Sequence, residues 1–114
     1  MERQEHVLAS SELGRVAVST QAIAQIVAAA AAESYGVVAL GGRRRLRLPG
    51  AARRAVEVRA GEDGLVVRLH VVVEHGLRLA EVAAAVEDRV RYELGRMVGL
   101  PLAAVEVHID RVRR

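Results

Sequence analysis

Leu65-Val66-Val67-Arg68-Leu69-His70-Val71-Val72-Val73-Glu74 is the stretch that decides the fold. Read at period two, Leu65, Val67, Leu69, Val71 and Val73 make one wholly apolar face. The alternate positions, Val66, Arg68, His70, Val72 and Glu74, make a mixed and largely polar one. Such a strand belongs to a sheet with one face packed on a core and the other open to water. Just before it, Val56 and Val58 alternate with Glu57 and Arg59, and Gly61-Glu62-Asp63-Gly64 supplies a turn, so a hairpin is expected. His75-Gly76 breaks the strand on its far side.

Outward from this hairpin the rhythm changes. Residues 79–98 place Val82, Val86, Val90, Leu94 and Val98 at steps of four, with Met97 beside them, which predicts a helix. Its polar side carries Glu81, Glu87, Asp88, Arg91 and Arg96, with Glu87 and Arg91 spaced for an i, i+4 pair. Gly99 and Pro101 end it. A last strand follows, with Val105, Val107 and Ile109 inward and Glu106, His108 and Asp110 outward; residues 111–114 read as a short basic tail. Towards the N-terminus, residues 13–18 predict a strand, and Ser19 or Thr20 caps a helix with apolar positions Ile23, Ile26, Val27, Ala30 and Ala31. Gly36 stands where that helix ends, and residues 37–40 predict a short strand.

The order is β-α-β-β-β-α-β. Alternation in the later strands requires both helices to cover the same side, so the expected architecture is α+β, a two-layer sandwich with two helices on one face of a mixed or antiparallel sheet. Residues 1–12 are polar and read as a lead-in, and residues 13–112 as a single domain. A chain of 114 residues has room for one core and little more.

Composition removes several classes of chemistry. Without Cys there is no thiol nucleophile, disulfide framework or thiolate metal site. All seventeen basic residues are Arg, so there is no Schiff-base or phosphate-loop lysine. Tyr35 and Tyr92 are the two aromatic residues available for stacking on bases. The longest uninterrupted apolar run, residues 26–32, is far short of the roughly 20 residues that span a bilayer. Residues 1–6 have no apolar stretch behind them, so no secretory signal is expected and the default location is cytoplasmic.

If the strands carrying them are neighbours, His70, Glu74 and His108 can converge on a divalent metal, but their spacing is not that of a helical zinc site, and an exposed cross-strand charge ladder is the favoured explanation. Ser10, Ser11, Ser19, Ser34 and Thr20 lie in no nucleophile-elbow sequence. No catalytic, cofactor-binding or metal-ligating residue is assigned, and the chain is not expected to be an enzyme. The most localised signal is the acid-free segment carrying Arg43, Arg44, Arg45, Arg47, Arg53 and Arg54, with Pro49-Gly50 inside it. It reads either as a solvated loop or as a grip on anions: RNA or DNA phosphates, lipid headgroups or an acidic protein surface.

Three blocks in order resemble the alkaline shock protein 23 family, also called the general stress protein 24 family. They are Gly14-Arg15-Val16-Ala17-Val18-Ser19 with Ile23-Ala24-Gln25-Ile26 and Glu33-Ser34-Tyr35-Gly36-Val37; then Val67 to Gly76; then Met97-Val98-Gly99-Leu100 with Val105-Glu106-Val107-His108-Ile109. His75 stands where the family usually has Tyr, and Leu79-Ala80 replaces a typical Ile-Pro. The resemblance implies a non-enzymatic bacterial protein of cell-envelope and alkaline stress. Some members self-associate and are recruited to the inner face of the membrane by a membrane-anchored partner. Others are linked by gene neighbourhood to fatty-acid synthesis. It supplies no catalytic or cofactor residue.

The expectation is therefore a cytoplasmic homo-oligomeric interaction module, with Arg68, His70, Glu74, Glu106, His108 and Asp110 on its open sheet face. RNA or anionic-surface binding through residues 43–54 is the alternative.

Overall fold

The computed structural model describes residues 6–11, 14–41 and 55–114. The six arginines of residues 43–54 lie outside them. The elements are β1 (His6–Ser11), β2 (Gly14–Ser19), α1 (Thr20–Ala32), β3 (Val37–Leu40), β4 (Val56–Gly61), β5 (Gly64–Glu74), α2 (Leu79–Met97) and β6 (Leu102–Arg113). From β2 onward this is the order the sequence predicts, and the class is α+β.

The main sheet is mixed and built around β5. One edge of β5 pairs in parallel with β6 over its whole length, from Leu65↔Leu102 to Glu74↔Arg113. The other edge pairs antiparallel with β4 (Val56↔Leu69 to Gly61↔Gly64) and with β3 (Val37↔Val73 to Leu40↔Val71). Because β6 occupies one edge completely, β3 and β4 lie end to end along the other. Gly41 N donates to the His70 carbonyl at 2.8 Å, and Val56 is already opposite Leu69. Gly41 and Ala55 therefore stand at adjoining positions of one edge.

The core lies between the sheet and the helices. Leu65, Val67, Leu69, Val71 and Val73 are essentially inaccessible, packed with Ile23 and Val27 of α1 and Val82, Val86, Val90 and Leu94 of α2. Alanines at 24, 28, 30 and 31 keep α1 thin and are buried with them. On a scale of about 25 cal/mol per Å² of apolar surface, this one layer of valines and leucines dominates folding. Ser19 caps α1 as expected, its Oγ accepting from Ala22 N at 3.0 Å. The hairpin turn requires glycine at 64: its φ is +134°, and an added Cβ would stand 2.5 Å from the Pro101 carbonyl. That close approach brings Pro101 O to the Leu65 N–H, 3.0 Å away, and starts the β5–β6 pairing.

Four expectations need correction. Within the residues read as a lead-in, His6–Ser11 forms a strand paired antiparallel with β2, and this hairpin is a two-stranded sheet apart from the main one. α1 closes at Ala32 with Glu33 as its cap, and Gly36 (φ +83°) sits in the turn beyond. Arg111 and Arg113 are not tail residues but extend β6, opposite Val72 and Glu74. Arg91 does not meet Glu87; it donates to the Leu102 carbonyl at 3.4 Å, while on α2 Glu93 is engaged by Arg89 and Arg96 and Glu81 by Arg78.

Candidate functional site: the open face of the sheet

The face of the sheet turned away from the helices is a set of cross-strand rows. In the first, Glu57 of β4, Arg68 of β5 and Glu106 of β6 are register partners. Arg68 Nε donates to Glu106 Oε2 at 3.0 Å, and an Arg68 terminal nitrogen lies 4.0 Å from Glu57 Oε1. The hydrogen bond from Arg68, with its charge, holds the Glu106 carboxyl below the usual carboxylate range. The same bond and the two acids raise Arg68 above its already high value. All three side chains are about half exposed, so solvent screens the row and its net contribution is small.

The next row is His70 opposite His108. Their rings stack with centroids 4.8 Å apart and planes 23° from parallel. His70 Nδ1 is 2.9 Å from Asp110 Oδ1, and His108 Nε2 is 3.1 Å from Glu106 Oε1 without hydrogen-bond alignment. Asp110 can reach His70 because β6 shifts register between Ile109 and Arg111. It also needs Gly41: a Cβ there would lie 2.6 Å from Asp110 Oδ2 and 3.1 Å from His70 Cβ. One row further, Val72 is buried on this face, apart from the main core cluster. Glu74 lies beyond it, opposite Arg113.

The structure thus brings together five of the predicted face residues: Arg68, His70, Glu106, His108 and Asp110. Glu74 is not among them; it is separated from His70 by the Val72 row, because β5 advances one same-face row every second residue. The converging metal geometry of His70, Glu74 and His108 does not form, as the imidazoles stack on one another. Among the described residues no group of three or more His, Asp or Glu is placed to hold a metal ion. Two participants were missed in the sequence reading. Glu57 was visible through its alternation with Val56 and Val58; Gly41 carried no local signal, since its role depends on a side chain from β6. Tyr35 and Tyr92 are exposed and belong to the turn after α1 and to α2.

A two-layer domain with both helices on one side and a paired polar ladder on the other now has its three sequence blocks in place: the capped β2–α1 unit, β5, and the end of α2 running into β6. The model of the alkaline shock protein 23 family, described as having a cell envelope-related function, matches residues 9–114, and the chain belongs to that family. Among curated proteins it is similar to the uncharacterized protein YloU of Bacillus subtilis (strain 168), 26% identical over 110 residues, covering 90% of this chain and 92% of that one. It is also similar to the uncharacterized protein Spy1614 of Streptococcus pyogenes serotype M6, 26% identical over 88% of both chains, and to YqhY of Bacillus subtilis, 28% identical over 87% of this chain and 77% of that one. No solved structure matches. No helix among the described residues is long and apolar enough to cross a membrane.

Proposed function

We propose that this protein is a non-enzymatic docking module of the cell envelope, cytoplasmic, self-associating, and held at the inner membrane face or at a biosynthetic enzyme by a protein partner. The observation that carries the reading is the open sheet face. Its charged groups are arranged in cross-strand rows, Glu57–Arg68–Glu106 and Asp110–His70 beside His108. The hollow lined by Glu57, Val58, Arg59, Val66 and Arg68 has a volume of about 100 Å³, below the size of a small-molecule site. This pre-paired surface therefore fits a protein partner that supplies complementary charge better than it fits a small substrate. The outer edges of β6 and β4, which pair with no strand among the described residues, offer main-chain hydrogen bonds in addition.

A second reading, binding of RNA or an anionic surface, is favoured by one observation. The sequence between Gly41 and Ala55 carries six arginines and no acid, and Gly41 lies against Asp110 and His70 of the polar face. One experiment separates the two. Tagged wild type, and a variant with the six loop arginines replaced by Ser, are used as bait for membrane and soluble fractions of the host, at low and high salt. The docking reading expects a stoichiometric protein partner that survives high salt. Recovery of nucleic acid or lipid alone, lost with salt and with the arginines, establishes the second reading instead, because phosphate contacts release counterions.

A further inference from the structure

The β1–β2 hairpin has no sheet of its own to join. Its strands pair with each other, from Val7↔Val18 to Ser11↔Gly14, and it is tied to the body through Ser19, the cap of α1. Two-stranded sheets are at best marginally stable alone in water. Its register places Val7 with Val18 and Ala9 with Val16, so four apolar positions share one face, and Val16 is 57% exposed.

The last strand, β6, has the opposite deficit. Its inner edge is fully paired with β5, whereas its outer edge meets no strand among the described residues. The β5 residues of the core face are essentially inaccessible, whereas Val105, Val107 and Ile109, their neighbours in β6, are packed against the core but only partly buried. Register shifts at both ends leave residues 104–109 as one regular block of six, and β1 and β2 are six residues each. The shifts and Arg91, which covers the Leu102 carbonyl, blunt the edge outside that block.

We infer that the β1–β2 hairpin of one copy adds to the outer edge of residues 104–109 of β6 in a second copy, through β1, the strand not tied to α1. This rests on the self-association proposed above and specifies its mode. The hairpin gains a sheet, and the row Val7, Ala9, Val16 and Val18 continues the half-covered row Val105, Val107 and Ile109. The polar rows stay on the other side, because both surfaces alternate with the same period. A second copy is the occupant because one chain carries both the strand pair without a sheet and the matching edge without a strand, in equal number and length. Where the exchange is reciprocal it closes a dimer, and where it is not it continues as a chain of copies.

The test uses the full-length protein. Sedimentation velocity across micromolar concentrations compares wild type with Val16→Glu, which alters a side chain already exposed in the single copy. Because the chain contains no Cys, orthogonal spin labels are placed on Ala17→Cys in one population and Ala104→Cys in another, and the two are mixed. The expected result is an oligomer, association weakened about tenfold or more by Val16→Glu, and an inter-copy distance within about 20 Å, a few strand spacings. An oligomer unaffected by Val16→Glu, with no short inter-copy distance, overturns the hairpin mode and leaves self-association standing. A monomer at every concentration overturns both.

Discussion

Gly41 shows how one residue controls a polar row made by three strands. Its missing Cβ is what lets the Asp110 carboxylate lie against His70. Gly41→Ala is expected to displace the Asp110 carboxylate, the end of a flexible and partly exposed side chain, and to cost no more than about 1 kcal/mol. Loss of the His70–Asp110 contact in a crystal structure of the variant, with a small fall in Tm by calorimetry, checks it. Glu106 sets a pH dependence. Its carboxyl is lowered in the folded protein by Arg68, so its contribution is fully present above the ordinary carboxylate range and is lost as pH falls through the lower folded value. Urea midpoints measured from neutral pH into that acid range are expected to drop less for Glu106→Gln than for wild type. An equal drop in both removes Glu106 from the account.

At the scale of elements, α1 depends on its first turn and on its thinness. Ser19 Oγ satisfies a backbone N–H that would otherwise be unpaired at the junction with the hairpin. Ser19→Ala is expected to cost about 1 kcal/mol, readable as a lower urea midpoint with unchanged slope. β5 depends on its inward row. Leu69 is fully buried between β4, β6 and the helices, and Leu69→Ala is expected to cost about 2–5 kcal/mol, against a total stability of about 5–15 kcal/mol for a small domain. A loss below 1 kcal/mol would mean that the helices collapse into the space. These elements were legible because their signals are local: a cap residue before a helical rhythm, and strict alternation over β5.

At the scale of the molecule, the fold separates a packed face from a charged one. Stability sits in one layer between β5 and the helices, and the opposite face is free to carry charges that meet one another across strands. Exposed rows of this kind contribute little to folding, and their arrangement is available for contact with another surface. The hairpin and the outer edge of β6 lie outside the core layer as well, which is why a change at Val16 is expected to alter association and leave the single copy folded.

The sequence by itself determined the class of fold, the element order from β2 onward, the inward row of β5 and the split between a packed and an open face. Each follows from a period or a cap written within a dozen residues, and burial of the apolar row admits no other side. The tertiary structure alone decided which strands neighbour β5, and that placement fixed the partners of Arg68 and His70. It also decided that β3 and β4 share one edge, that Glu74 stands away from the histidines, and that Gly41 lies beneath Asp110. These are contacts between residues distant in sequence, and their energies depend on register and edge, which no local pattern encodes.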